Sequence, residues 1–473
     1  MDLEEFRKRG YACVDWIVDY FRNIEQYPVK STVSPRDIFN RLPEHPPETG
    51  ENFDAIFKDF QEIILPGMTH WQHPSYFAYF NANNSYPSIL AELLTAALGA
   101  QCMSWQTSPA AAELEERVMQ WTGQLIGLPP TFEGVIQDTA STATMCAILS
   151  AREKYSDYGV NANGLYRMDR FTVYCSSEAH SSIEKAVKVL GLGRENLRKI
   201  AVDERFAMVP EKLEQAICRD KEDGAIPLAV VAAFGTTGST AIDPLEPIVR
   251  ICRQHNLWLH VDAAYAGTAL VLPEMRGLIR GIEAVDSFVF NPHKWMFTNF
   301  DCSAYFVRDR EPLIRSLEIL PEYLKTREGN RVNNYRDWGI QLGRRFRALK
   351  LWFVLRSFGV SGIREKVGNH LRWAQEFASE IDASENFERL APTPFSVVCF
   401  RYKPKGISDT ETLNRLNQEL METLNDSGAL YLTHTKLNGI FTLRLVIGQT
   451  HQEKRHIDAA WQRIQETAAR LKI

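Results

Sequence analysis

With 473 residues the chain is too long for one ordinary core, so two or three subdomains are expected. Its 45% hydrophobic and 24% charged residues fit a soluble globular protein, and a net charge of -5 gives no basic footprint for nucleic acid. No run approaches the ~18 apolar residues of a membrane helix, and the acidic start Met1-Asp2-Leu3-Glu4-Glu5 is opposite to a secretory n-region.

Residues 3–26 carry Phe6, Cys13, Trp16, Ile17, Tyr20, Phe21 and Ile24 at helical spacing, followed by Pro28, Pro35, Pro43, Pro46 and Pro47. So apolar a helix with no core of its own nearby is expected to pack on another subunit. The stretch 70–80, His-Trp-Gln-His-Pro-Ser-Tyr-Phe-Ala-Tyr-Phe, is dense in aromatics. Leu114 to Ile126 reads as a helix. Asp138-Thr139-Ala140-Ser141-Thr142-Ala143-Thr144 leads into another, and its serine and threonines suit either an ordinary N-cap or an anion site.

Strand-like runs follow at Phe171–Cys175, Leu228–Phe234, Leu257–Val261, Ser287–Phe290 and Ala304–Val307, with helical connections such as Ser182–Leu190 and Pro244–His255. This alternation predicts an α/β domain with a mainly parallel sheet, whose ligands bind beyond the carboxyl ends of the strands. His180, Thr237, Asp262 and Lys294 all fall just after such runs. Residues 321–336 form a polar stretch with a glycine, a candidate lid. Beyond Leu349 come amphipathic helices and strand-like runs at Ser396–Tyr402 and Ile440–Ile447. The expected division is an N-terminal helical dimerisation segment over 1–85, a large α/β domain over 86–350 and a small α+β domain over 351–473.

Eight cysteines without a Cys-x-x-Cys pair fit reduced thiols and a cytoplasmic location. No metal site is expected, since His255 and His260 straddle a turn into a strand and read as structural.

The chemistry centres on Asn291-Pro292-His293-Lys294-Trp295. A lysine between an apolar strand and a tryptophan is partly desolvated, so its pKa falls and its amine becomes a nucleophile. The commonest use of such an amine is a Schiff base, above all with pyridoxal phosphate. That cofactor needs a carboxylate facing its ring nitrogen. Asp262 stands 32 residues earlier, about one strand-helix-strand unit away, and small residues such as Ala264 let a flat ring approach the backbone.

These residues, with Thr139-Ala140-Ser141, Ala179-His180-Ser181-Ser182, Gly235-Thr236-Thr237, Asn299 to Ala304 and Leu342-Gly343-Arg344-Arg345-Phe346-Arg347, resemble a group II pyridoxal-phosphate-dependent decarboxylase of the aromatic-L-amino-acid or tryptophan decarboxylase type. The resemblance runs from Phe6 to about Leu471. It implies the aspartate-aminotransferase-like fold (fold type I) and a homodimer with its active site at the subunit interface. Lys294 would hold the cofactor, Asp262 would pair with its ring nitrogen, and His180 would stack on the ring. Ala140, Ser141 and Asn291 would cup the phosphate, with Ala264 and Thr237 close by. His293 would either orient phosphate or substrate or simply pack behind the lysine. Tyr323 would return a proton to the substrate. Relatives with phenylalanine there tend to make an aldehyde, so the phenol favours amine formation.

The resemblance also places Trp71, Tyr79, Phe80, Ala82, Gln101, Met103 and Gly343 around the substrate ring. Gly343 would leave room for an indole. Asp138 stands where glycine is frequent, and its charge is expected to point away from the phosphate. Asn81 and Ala82 replace Pro-Thr, while Gln101 and Met103 replace more apolar residues. Gln101 would read a ring hydroxyl or an indole N–H. The implied substrate is a tryptophan-like amino acid, with phenylalanine, tyrosine and DOPA as further candidates. The alternatives are an aldehyde synthase or a decarboxylase of a more polar amino acid.

Overall fold

The structure, a computed structural model, describes residues 1–166, 168–319 and 331–471. They group into a larger unit, residues 82–378 with 389–399, and a smaller one, residues 1–81, 379–388 and 400–473.

The larger unit is built on a seven-stranded sheet. Its strands are β1 (Glu133–Gln137), β2 (Phe171–Ser176), β3 (Leu197–Ile200), β4 (Ile226–Ala233), β5 (Trp258–Asp262), β6 (Ser287–Phe290) and β7 (Ser303–Val307), ordered β1-β7-β6-β5-β4-β2-β3. From β3 to β6 every pairing is parallel, whereas β7 runs antiparallel to both β6 and β1. The sheet is therefore parallel except for one strand. Strands β2, β6 and β7 are buried at every position, as parallel strands covered on both faces must be. The helix Ala140–Tyr155 joins two core clusters. Ala143, Cys146 and Ala147 pack with Val289, Tyr305 and Trp338, while Ile148 and Ala151 pack with Val173, Val231 and Trp258. A helix used on several faces has little amphipathic signature, and the sequence shows only its apolar entry.

The five strand-like runs of the sequence correspond to β2, β4, β5, β6 and β7, within two residues at either end. Strands β1 and β3 escaped that reading because Glu133-Gly134 and Leu197-Arg198-Lys199 lack an apolar run. The candidate lid is only partly described. Tyr335–Trp338 forms a buried 3-10 turn, so the end of that polar stretch belongs to the core.

In the smaller unit, the helix Leu3–Arg22 sets Trp16 against Tyr20, Phe57 and Phe60. The Tyr20 hydroxyl meets His70 Nδ1 at 2.8 Å. A four-stranded sheet is ordered β10-β11-β9-β8, from β8 (Phe387–Arg389), β9 (Val397–Tyr402), β10 (Thr433–Leu437) and β11 (Ile440–Val446). Where the sequence suggests a separate N-terminal segment over 1–85, residues 1–81 are stitched to C-terminal ones. Val29 N–H donates to the Gly428 carbonyl at 2.8 Å, Phe77 N–H to Tyr431 at 3.0 Å and Val446 N–H to Phe77 at 3.0 Å. Backbone pairing of this kind leaves no trace in composition.

Candidate active site

Four adjacent parallel strands deliver the central residues. Across β6, β5, β4 and β2, in that order in the sheet, Lys294, Asp262, Thr237 and His180 emerge within four residues of each strand's end. This is the edge where open α/β sheets bind ligands.

Lys294 lies in the short helix Pro292–Trp295 and is partly buried. Burial pulls its ammonium below the ordinary lysine value, and the attraction of Asp262 opposes that shift. Its backbone is fixed by Asn83. The Asn83 side chain donates to the Lys294 carbonyl (2.5 Å), and its N–H donates to that of His293 (3.0 Å).

Asp262 accepts the Ala264 N–H on Oδ1 at 3.0 Å. The loop it begins is laced to the Lys294 loop. Ala263 N–H donates to Val289 and Asn291 N–H to Ala264, both at 2.9 Å. Gly267 is required by that closeness, because a Cβ there would lie 2.5 Å from the Phe290 Cβ.

His180 is accessible at the rim of the site. Its Nδ1 receives the Ser182 N–H (3.2 Å) and lies 2.8 Å from the Ser182 hydroxyl, which leaves the ring proton on Nε2. Desolvation lowers its pKa, with Asp262 raising and Lys294 lowering it. His180, Asp262 and Lys294 thus share one electrostatic environment.

The remaining histidine is settled differently. His293 Nδ1 accepts the Cys302 N–H at 2.9 Å, and burial pushes its pKa down to about 3. It is a neutral, buried ring in the residue before the lysine.

At the end of β1 the chain enters the helix Ala140–Tyr155. The Thr139 hydroxyl caps Thr142 N–H at 3.3 Å, while the Ala140 and Ser141 N–H groups make no hydrogen bond among the described residues. Two free donors at a helix N-terminus are what a phosphate needs. The Asp138 carboxylate folds back onto Thr139 N–H (2.6 Å) and meets Gln341 at 3.4 Å. Ser303, at the start of β7, donates to Asn291 Oδ1 (2.8 Å) and lies 3.2 Å from the Asp138 carbonyl, so it ties the two loops together. Thr237 is exposed in the turn after Gly235 and Thr236.

The residues expected around the substrate ring are divided between the two units. In the smaller one Trp71 stacks on Tyr79 (6.0 Å), and the Arg444 guanidinium lies over Phe80 at 5.4 Å. In the larger one Ala82 adjoins Asn83, and the Met103 carbonyl accepts Arg336 N–H at 2.9 Å. Gln101 touches the Gly343 turn, its Oε1 accepting Arg344 N–H at 2.7 Å. The space that glycine opens at 343 is therefore partly taken by the Gln101 carboxamide. Tyr323 lies outside the described residues. Asn83, Ser182 and Ser303 act through hydrogen bonds to the loops around the site. Ser182 and Ser303 stand inside motifs visible in the sequence, but Asn83 carries no such signal.

No cluster of side chains able to hold a metal occurs among the described residues. A desolvated lysine, a facing carboxylate, a rim histidine and open N–H donors at a helix start fit pyridoxal phosphate group by group, and with this sheet they define a lysine-based pyridoxal-phosphate enzyme.

Comparison with known proteins narrows the class. Residues 35–403 match the pyridoxal-dependent decarboxylase conserved domain. Tyrosine decarboxylase 4 of Petroselinum crispum is 42% identical, the alignment covering 100% of this chain and 94% of the relative. A phenylacetaldehyde synthase of Arabidopsis thaliana is also 42% identical, over 100% of this chain and 97% of the relative. A crystal structure of Oryza sativa TDC with pyridoxal phosphate and tryptamine superposes with a TM-score of 0.96 at 34% identity, covering 99% of this chain and 98% of that one. The chain belongs to the pyridoxal-dependent decarboxylase family, and its cofactor is pyridoxal 5'-phosphate.

Proposed function

We propose that this protein decarboxylates an aromatic L-amino acid, with a tryptophan-like ring preferred, to the amine and CO2. The observation that carries the reading is the set Lys294, Asp262 and His180 at one edge of the parallel sheet, in a chain that superposes on a relative bound to tryptamine. When bound, pyridoxal phosphate supplies the electron sink for the charge left behind by departing CO2.

The chain's own residues do the rest. Lys294, its amine eased toward neutrality by burial, would hold the cofactor carbonyl covalently. Asp262 would keep a proton on the ring nitrogen. His180, its tautomer fixed by Ser182, would offer its ring for stacking on the cofactor. Ala140 and Ser141 donate N–H groups to the phosphate, with Asn291 held by Ser303 beside them. The aromatic residues Trp71, Tyr79 and Phe80, which the family resemblance assigns to the substrate ring, would supply apolar surface that excludes water.

The second reading is an aldehyde synthase, favoured by the full-length likeness to a phenylacetaldehyde synthase. That reaction consumes oxygen and water and returns aldehyde, CO2, ammonia and peroxide. Tyr323 supports the amine reading, as the group proposed to deliver a proton to the substrate Cα. The deciding experiment quantifies amine, aldehyde, CO2 and peroxide from tryptophan, 5-hydroxytryptophan, tyrosine, DOPA, phenylalanine and histidine. It compares wild type with Tyr323→Phe. Amine alone from wild type, with aldehyde and peroxide appearing in the variant, supports the first reading. Aldehyde from wild type supports the second.

We also infer a homodimer with its active site at the subunit interface. Leu3 is 84% and Phe6 61% exposed on the N-terminal helix, and Leu98 is 66% exposed on the helix Tyr86–Leu98. Apolar surface of this kind calls for a partner. Sedimentation at micromolar concentration tests it, a monomer being the adverse result. A cytoplasmic location agrees with eight free cysteines and is tested by cell fractionation.

A further inference from the structure

Trp295, the residue after Lys294, is completely buried and held from two sides. On one side it stacks on Tyr265, with ring centroids 4.8 Å apart and planes within 4°. Tyr265 lies three residues beyond Asp262, and its hydroxyl is fixed 2.6 Å from that of Ser396. On the other side the Trp295 indole N–H donates to His370 Nδ1 at 2.9 Å. His370 comes from the long helical segment Arg347–Ala383 and is 1% exposed. Burial, with Lys366 nearby, keeps that ring neutral, so Nδ1 remains an acceptor.

The geometry has a consequence for the chemistry. An indole stacked on one neighbour still slides and rolls in its plane, because stacking is only weakly directional. A hydrogen bond in the ring plane removes that freedom. Trp295 and Lys294 are consecutive in one short turn, so the roll of the indole sets where the lysine side chain departs. Tyr265 ties the same indole to the loop that begins at Asp262. The stack therefore joins the residue that holds the cofactor carbonyl to the one that faces its ring nitrogen, and His370 sets the angle of the joint.

We propose that His370 is a positioning residue for Lys294, acting through the Trp295 indole and, across the Tyr265 stack, setting the lysine relative to Asp262. It touches neither cofactor nor substrate. The proposal rests on Lys294 and Asp262 holding pyridoxal phosphate, which borohydride labelling of the wild-type enzyme checks independently.

The test uses His370→Leu, which removes the acceptor, Trp295→Phe, which removes the donor but keeps a stacking ring, the double variant, and His370→Asn, whose side-chain oxygen restores an acceptor near Nδ1. For each holoenzyme the readouts are the pH midpoint of the visible absorbance of the lysine-bound cofactor, the cofactor dissociation constant, kcat and KM separately, and the melting temperature of the cofactor-free protein. The expected result is a common shift of the pH midpoint in His370→Leu and Trp295→Phe. A roughly tenfold lower kcat with little change in KM should accompany it, the double variant being no worse than either single one, and His370→Asn should recover most of the loss. Two outcomes overturn the proposal. One is an unchanged midpoint with activity that follows melting temperature alone, which makes His370 merely structural. The other is additive losses in the double variant, which mean that the two residues act separately. Should His370→Leu fail to fold, Trp295→Phe against His370→Asn decides by the same midpoint.

Discussion

The carboxamide of Gln101 and the backbone of Gly343 are in contact: a Cβ built on Gly343 would lie 3.2 Å from Gln101 Nε2. Because Gln101 Oε1 is also held by Arg344 N–H, the side chain cannot move aside without losing that bond. The two residues form one wall. Gly343→Ser should therefore lower kcat/KM for tryptophan relative to tyrosine by about 5- to 150-fold, the range for one or two misplaced heavy atoms. Adding Gln101→Ala should restore part of the ratio by making room for the serine. Equal losses on both substrates would show instead that the turn itself has shifted.

Lys294→Ala should abolish covalent retention of the cofactor. Borohydride reduction of the wild-type enzyme followed by peptide mapping should find the label on Lys294, and a label on any other lysine would remove it from the centre of the site.

Asp262→Ala should leave the fold intact and the rate severely reduced. Losing an ion pair worth ~3 kcal/mol slows a step by about two orders of magnitude. Near-normal turnover in cofactor-loaded protein would refute the role of the carboxylate.

Glu115→Ala should destabilise the protein by about 3–5 kcal/mol, the cost of leaving one member of a buried pair alone. Arg344 and Glu115 meet at 2.7 Å with side chains 6% and 3% exposed, and Glu115 also accepts Ile136 N–H at 2.9 Å. Urea unfolding measures the change. A loss below ~1 kcal/mol would mean that water reaches the arginine.

Acid should unfold the protein through its buried histidines. Burial lowers His260 to about 4, and His293 and His370 to about 3. An unfolded histidine titrates near ~6.5. Below that value the unfolded chain takes up protons that the folded one refuses, so stability is full above pH ~6.5 and falls as pH drops toward about 4. These three groups alone contribute on the order of 4 kcal/mol per pH unit, and His73, also lowered to about 4 by burial, adds to them. The urea midpoint from pH 7 to pH 5 measures the slope, which should become shallower in His260→Asn by about one histidine's share, roughly 1.4 kcal/mol per pH unit. A flat profile would place protonated histidines inside the fold.

What the sequence reveals and what it hides follow from how each residue acts. Lys294, Asp262, His180 and Thr237 follow apolar runs, so strand periodicity alone places them on one sheet edge. Ser303 and Asn83 depend on where two distant loops meet, which no local pattern records. The indole's attachment to His370 spans from residue 295 to residue 370 and is equally silent. Gly343 was legible as a small residue in a motif. Its filling by Gln101 was not, because it requires knowing which turn lies against residue 101.

The lone antiparallel strand also fixes an order of events. Strand β1 has β7 as its neighbour in the sheet, so Glu133 must wait for Val307. While the chain is being synthesised, the donors at Ala140 and Ser141 stand beside an unpaired strand until the ribosome has passed residue 307. The serine that joins them to the Asn291 loop arrives at the same time. Pairing over that separation is slow to form. The β1 edge, with the loop that leads to Ala140 and Ser141, is thus completed only after β7 is present. A nascent chain stalled before β7 would carry the parallel strands β2 to β6 and lack both the partner of β1 and the serine that joins the Asp138 and Asn291 loops.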